Sequence, residues 1–221
     1  MKTIYFEEIS STNDYLKNLD AEEDVLAIAK RQTGGRGTKG RSFLSDDGGV
    51  YLSLLRLNPC NVKDAFSIMM NSAVAVVKTL SAFDIKAKIK WPNDILVDGK
   101  KICGILIENV FEGDTVSRSV VGVGVNVNNS LAEEIKDIAT STKNILGKEL
   151  SVPTVTATLA YNLYQDYGYE EYSRHLLFIG EEVTIITQKS AYKAIIDQVL
   201  PNGNLKTKDG QVFSAGEISI R

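Results

Sequence analysis

Apolar positions along this chain recur at two periods, and the switches between them mark its elements. Residues 3–9 alternate well enough for a strand, and 10–13 break it, with Ser11 or Thr12 placed to cap a short helix through Leu16 and Leu19. Residues 25–30 read as a buried strand running into a glycine-rich basic loop, 32–41, and 50–57 as another strand. Between residues 63 and 83, Phe66, Met70, Ala73, Val77 and Leu80 recur at three and four positions, the apolar stripe of a core-facing helix. Strands then return. Residues 85–91 alternate, 95–97 are apolar, and Asp98-Gly99 signals a hairpin turn. Two apolar strands, 102–110 and 116–127, are separated by Glu112-Gly113-Asp114. Residues 131–138 and 154–169 are predicted helical, the second opening just after Pro153.

The tail differs. Short strands at 183–186, 194–199, 205–207 and 212–213, broken by Pro201-Asn202-Gly203 and Asp209-Gly210, have the pattern of a small barrel. A boundary near 175–180 divides the chain into residues 1–176 and 177–221. Strands mostly follow strands, and helices come in a few long pieces. That order predicts an α+β fold, a mixed or antiparallel sheet with helices on one face, over an alternating doubly wound one.

Composition narrows the class. The 221 residues suffice for one sizeable core and a small appendage, and 43% hydrophobic with 24% charged residues is ordinary for a globular protein. Basic residues number 25 and acidic ones 28, a balance against wholesale nucleic-acid binding that still allows a local anion-binding loop. Cys60 and Cys103 are too few for a disulfide framework and lack metal-ligand spacing, so a reducing cytoplasm is expected. No apolar run reaches the roughly 18–20 residues of a spanning helix.

Gly35-Arg36-Gly37-Thr38-Lys39-Gly40-Arg41 satisfies the dinucleotide pattern G-x-G-x-x-G after a strand, but no helix follows and no acidic residue lies about 20 positions on. As a P-loop it has Arg41 where the lysine belongs. Both standard readings fail, yet the chemistry remains. Glycines expose backbone N–H groups to a close ligand, and Arg36, Lys39 and Arg41 suit a polyphosphate or an acyl-adenylate.

Lys90-Trp91-Pro92-Asn93-Asp94 is followed, eleven residues beyond Lys90, by Lys101-Ile102-Cys103-Gly104-Ile105-Leu106-Ile107-Glu108. With Gly35–Arg41, Ser11-Thr12-Asn13, Gln32, Gly122-Val123-Gly124-Val125-Asn126 and the terminal Gly216-Glu217-Ile218-Ser219-Ile220-Arg221, this ordered set resembles the signature segments of biotin protein ligases. The resemblance runs from position 11 to the end. It implies a synthetase-like catalytic domain with an SH3-like barrel, and a reaction in which ATP, with Mg²⁺, activates biotin to biotinyl-5′-AMP before transfer to a lysine of a biotin carboxyl carrier protein. The motifs begin almost at once, so the expected type is monofunctional, without a DNA-binding domain; a homodimer through an exposed sheet edge is allowed.

The resemblance also assigns roles. Ser11, Thr12, Asn13 and Gln32 close the ureido end of the biotin pocket, where hydroxyls and amides suit a group with both donors and an acceptor; helix capping is the alternative for the first three. Lys101 binds the biotin carboxylate and the α-phosphate, offsetting their repulsion. Asp94 orients ligands or helps hold Mg²⁺, and in the second step assists the incoming lysine, with a simple turn role as the alternative; Mg²⁺ is otherwise held through the nucleotide. Gly35, Gly104, Gly122 and Gly124 let backbone pass close to biotin. Arg36, Gly37, Thr38, Lys39, Gly40 and Arg41 take the adenylate side, with Arg36 also on biotin and in catalysis. Asn93 and Asn126 join the nucleotide side. Trp91 is placed there too, although core packing is equally open to it, and His175 has no matched role. Thr38 departs from the family's usual arginine, which puts adenylate retention in question. The loop is also expected to act as a lid.

Overall fold

The computed structural model describes residues 2–187, 190–216 and 218–220. Strand β1 (Lys2–Ile9) and strand β2 (Val25–Gln32) are parallel, so the chain must cross over between them, and helix α1 (Thr12–Lys17) makes that crossing. The remaining ladders of the main sheet are antiparallel. It contains β3 (Val50–Arg56), β4 (Cys60–Asn61), β5 (Lys88–Lys90), β6 (Asp94–Val97), β7 (Lys100–Glu112) and β8 (Thr115–Val125), in the order β1-β2-β3-β8-β7-β6-β5, with β4 paired to β8. Helices α2 (Phe66–Ser81), α3 (Thr142–Leu146), α4 (Val152–Asn162) and α5 (Gly168–His175) follow in chain order among the strands. A separate five-stranded sheet closes the chain: β9 (Glu182–Ile186), β10 (Ala191–Val199), β11 (Leu205–Thr207), β12 (Val212–Phe213) and β13 (Ser219–Ile220).

Side-chain alternation gives the main sheet two unlike faces. Leu26, Leu52, Leu54, Val121 and Val123 point to one face and join α2 and α4 in the principal core. Val25, Ala27, Leu55 and Val120 point to the other, where Leu16 of α1 completes a small cluster. The expectation of helices on one face is therefore corrected: a parallel β1–β2 pair requires a crossover, and α1 occupies the second face. Gly104, Gly122, Gly124 and Ser53 share this α1 face by the same two-residue period, and there the site is built.

Local chemistry explains where the predicted elements end. Helix α2 matches the predicted stripe, but its burial is wider, with Val74, Ala75 and Val76 also enclosed. The predicted helix at 131–138 is only a single tight turn at Glu133–Ile135. Ile138 instead accepts from the Lys101 N–H at 2.9 Å while Lys101 accepts from Thr140 at 2.8 Å, which ties the segment alongside β7. The helix predicted through 169 stops at Asn162, and a second helix, α5, starts at Gly168, which is left-handed (φ +69°). The strand predicted at 85–91 shortens to β5, since Ile85 closes the end of α2 by bonding to Leu80 O at 3.1 Å. Strands β4 and β13, two residues each, carry too little pattern to be foreseen.

The two sheets share one apolar core: Val183, Ile185, Val199 and Leu205 belong to the same cluster as Ile89 and Trp91. Trp91 is the tie, its indole N–H donating to Gly203 O at 2.9 Å. No described helix is long and apolar enough to cross a membrane.

Candidate functional site

A cleft of about 650 Å³ opens on the α1 face, floored by β3, β7 and β8 and walled by α1, the 33–49 loop and the 129–139 segment. Its floor is bare backbone where Gly104, Gly122 and Gly124 align across two strands, Gly104 directly opposite Gly124. The glycines are required by what lies above them. A Cβ on Gly104 would sit 3.1 Å from Lys101 Nζ and 3.2 Å from the Phe43 ring, one on Gly124 would meet Phe43, and one on Gly122 would collide with the Asn13 amide.

The polar end is a hydrogen-bonded set. Ser11 caps α1, its hydroxyl accepting from the Asp14 N–H at 3.2 Å, so capping and cleft-lining coexist in this residue. Thr12 donates to Gln32 Oε1 through its backbone N–H (2.8 Å), and its hydroxyl lies 3.0 Å from the same oxygen and 2.7 Å from Ser53 Oγ. Gln32 Nε2 donates to Ser45 at 3.1 Å, whose hydroxyl donates to Phe43 O at 3.0 Å. Asn13 accepts from Ser53 at 2.6 Å and donates to Glu108 at 3.1 Å. Arg36 pairs with Asp14 and, at 2.8 Å, with Glu108. Lys17 reaches the other oxygen of Glu108 at 3.0 Å.

At the other end Lys101, its side chain about one-third exposed, holds Asp94 at 2.7 Å, and its ammonium lies 5.8 Å from the Phe43 ring centroid. The β6–β7 hairpin sets this pair, Asp94 lying opposite Gly104. Below it Cys103 is wholly buried, and burial pushes its thiol far up, so it is a packing group and no nucleophile. Asn93 donates to Ile105 O at 3.0 Å. Asn126 donates to Thr140 O and accepts from Asn129, both at 3.1 Å. The result is a narrow slot over glycine backbone, lined by the basic side chains of Arg36, Arg41, Lys90 and Lys101, with mixed donors and acceptors at one end and amides at the other. Such a slot suits a flat polar ring joined to an anionic tail.

Of the residues singled out from sequence, Ser11, Thr12, Asn13, Gln32, Arg36, Gly37, Thr38, Arg41, Asn93, Asp94, Lys101, Gly104, Gly122, Gly124 and Asn126 line this cleft. Others do not. Gly35 is buried beneath the loop, where a Cβ would strike Phe43 O. Gly40, left-handed at φ +73°, faces open space. Lys39, itself left-handed, sends its ammonium to Ile218 O at 3.3 Å, on the second sheet. Trp91 is 3% exposed within the core, which corrects its placement on the nucleotide side: the indole is consumed in joining the two sheets. Glu217 and Arg221 lie outside the described residues. His175 lies 3.3 Å from Glu171, away from the cleft. Among the described residues no group of three His, Cys, Asp or Glu is arranged to hold a metal ion.

Sequence reasoning gave no role to Ser53, Phe43, Asp14 or Glu108. Ser53 carried a signal, being the one serine inside the run Val50-Tyr51-Leu52-Ser53-Leu54-Leu55. Glu108 carried another, a carboxylate inside an apolar strand on the face of Gly104.

Comparison with known proteins agrees with this geometry. The model of the biotin/lipoate A/B protein ligase family matches residues 5–126. The chain is similar to the bifunctional ligase/repressor BirA of Bacillus subtilis, 40% identical over 155 residues, covering 66% of this chain and 48% of that protein. It is also similar to the biotin–[acetyl-CoA-carboxylase] ligase of Paracoccus denitrificans, 34% identical over 106 residues, covering 45% and 43% respectively. Among solved structures, the biotin protein ligase from Aquifex aeolicus in complex with biotin and ATP superimposes with a TM-score of 0.81 at 28% identity, over 100% of this chain and 98% of that one. The chain spans about half the length of the Bacillus relatives it matches.

Proposed function

The chain belongs to the biotin/lipoate A/B protein ligase family, and on that premise we propose that it is an ATP-dependent biotin protein ligase. The observation that carries this reading is Lys101, whose ammonium lines the cleft beside the bare floor of Gly104, paired with Asp94 at 2.7 Å. The hydroxyl and amide set at Ser11, Thr12, Asn13 and Gln32 suits the ureido ring of biotin, and Lys101 its carboxylate.

In the first half-reaction a carboxylate oxygen of biotin attacks the α-phosphorus of MgATP. The bond from that phosphorus to the bridging oxygen breaks, and pyrophosphate leaves. Lys101 offsets repulsion between the two anions and the charge that grows at phosphorus. The metal arrives with the nucleotide as part of the substrate. In the second, the neutral ε-amine of a carrier lysine attacks the acyl carbon of biotinyl-5′-AMP. AMP leaves, an amide forms, and the amine proton passes to a base, a role that suits Asp94. Arg36, Arg41 and the backbone N–H group of Thr38 hold the adenylate, and the loop closes over it to exclude water. Arg41 already donates to the Thr38 hydroxyl at 3.2 Å and so helps order a loop in which threonine replaces arginine.

The acceptor in this reading is the biotin domain of a carboxylase, in the cytoplasm, where Cys60 and Cys103 stay as the free thiols seen here. Residues 1–176 form the catalytic unit and 177–221 the SH3-like one, and the outer edge of β1 is where two copies would pair. Pyrophosphate release tests the first step: with MgATP it is expected on adding biotin and not on adding lipoate. Release with lipoate alone would move the protein to the other branch of its family, and release with neither would sink the reading.

A further inference from the structure

Glu108 holds none of the roles assigned so far. Strand β7 turns its side chain to the face of Gly104 and Leu106, and the side chain is 19% exposed. Three donors converge on it: Asn13 Nδ2 at 3.1 Å and Arg36 at 2.8 Å on one oxygen, and Lys17 at 3.0 Å on the other. Burial pushes the carboxyl up, but the Asn13 hydrogen bond with the Lys17 and Arg36 charges more than offsets this and holds it below the usual carboxylate range. At neutral pH Glu108 is an anion, and an ionised carboxylate only accepts.

That restriction spreads through the polar end of the cleft. An acceptor at Glu108, 3.1 Å away, with the Leu106 carbonyl at a longer 3.5 Å, selects the Nδ2 end of Asn13 and turns its Oδ1 toward Ser53, which donates to it at 2.6 Å. The Ser53 proton being spent, the contact between Ser53 and Thr12 at 2.7 Å needs the Thr12 hydroxyl proton, which Gln32 also draws. The Thr12 N–H holds Gln32 Oε1 regardless. Gly122 completes the clamp by leaving room for the Asn13 amide. We infer that Glu108 is a positioning residue: it fixes the amide orientation of Asn13, and through it the donor and acceptor pattern that Ser53 and Thr12 present to a ligand ring. Arg36 keeps Asp14 as a second partner and Lys17 is half exposed to water, so within the cleft the loss of Glu108 falls chiefly on Asn13. The inference shares the cleft with the proposed function, which enters only through biotin as the probe of the second assay.

The first assay needs no ligand. The side-chain amide pair of Asn13 is identified in ¹⁵N-labelled protein by its loss in Asn13→Asp. In Glu108→Gln its hydrogen exchange is expected to quicken about tenfold with the backbone spectrum retained, because glutamine both donates and accepts and leaves only the longer bond to Leu106 O, at 3.5 Å, to favour one orientation; Lys17→Ala is expected to leave it unchanged. The second assay is calorimetric biotin affinity, with about a tenfold loss expected in Glu108→Gln and less than twofold when Asn13 is already alanine. An Asn13 pair unmoved in Glu108→Gln, or losses that add in the double variant, would overturn the inference. A wild-type protein that ignores biotin would overturn the proposed function instead, leaving the exchange assay to decide on Glu108.

Discussion

Gly122 shows what a single missing methyl group permits. Its strand could accept alanine by backbone geometry, but the Asn13 amide occupies the space the Cβ would fill, and that amide is held by Ser53 and Glu108. Gly122→Ala is therefore expected to weaken biotin binding at least about tenfold while the fold persists, since the displaced group belongs to the polar end and not to the principal core. Isothermal calorimetry beside a melting curve separates the two effects; unchanged affinity would mean that the amide yields freely. At this scale most of the lining of the candidate cleft was legible. Ser11, Thr12, Asn13, Gln32 and Lys101 stand in short motifs whose order along the chain carries information. Ser53 and Glu108 do not, because their importance comes from neighbours 40 and 95 positions away, and no local pattern encodes such a meeting. Trp91 was misplaced for the same reason, its partner Gly203 lying 112 positions on.

Helices and strands were readable where one period ran long enough to dominate. The stripe of α2 and the hairpin at Asp98-Gly99 are local and were legible; the segment at 131–138 failed because its backbone is recruited by Lys101. The α2–α5 contact offers a test at this scale. Glu171 of α5 accepts from Lys78 of α2 and lies 3.3 Å from His175. The Lys78 hydrogen bond first, then that of His175, lowers its carboxyl to about 2. A folded value below the unfolded one adds stability at pH above the ordinary glutamate value, and this is lost as pH falls from there toward 2. The melting temperature of wild type should thus exceed that of Glu171→Gln at pH 6, with the gap closing as pH drops below about 4. A gap that stays constant with pH would assign Glu171 no ionic role.

The whole molecule joins two sheets through one apolar cluster, and the 33–49 loop reaches both. Lys39 at the loop tip reaches Ile218 O on the second sheet, while Arg36 is held by α1 and β7 on the first. The second sheet was legible from its short strands and turn residues, but its docking was not, because that rests on Trp91 and Phe66 meeting Gly203. Trp91→Phe keeps an aromatic ring but removes the indole N–H and part of the buried volume, leaving the Gly203 carbonyl unpaired; a loss of at least about 1–3 kcal/mol in denaturant unfolding is expected. A variant as stable as wild type would show that the sheets are held by packing alone.

Transfer itself tests the central claim most directly. Intact mass is measured on a purified carboxylase biotin domain incubated with biotin and MgATP, using wild type and Lys101→Ala. One biotin-sized adduct on a single lysine is expected with wild type, formed at least about a hundredfold more slowly by the variant. No adduct from wild type, or equal rates from both proteins, would contradict the account.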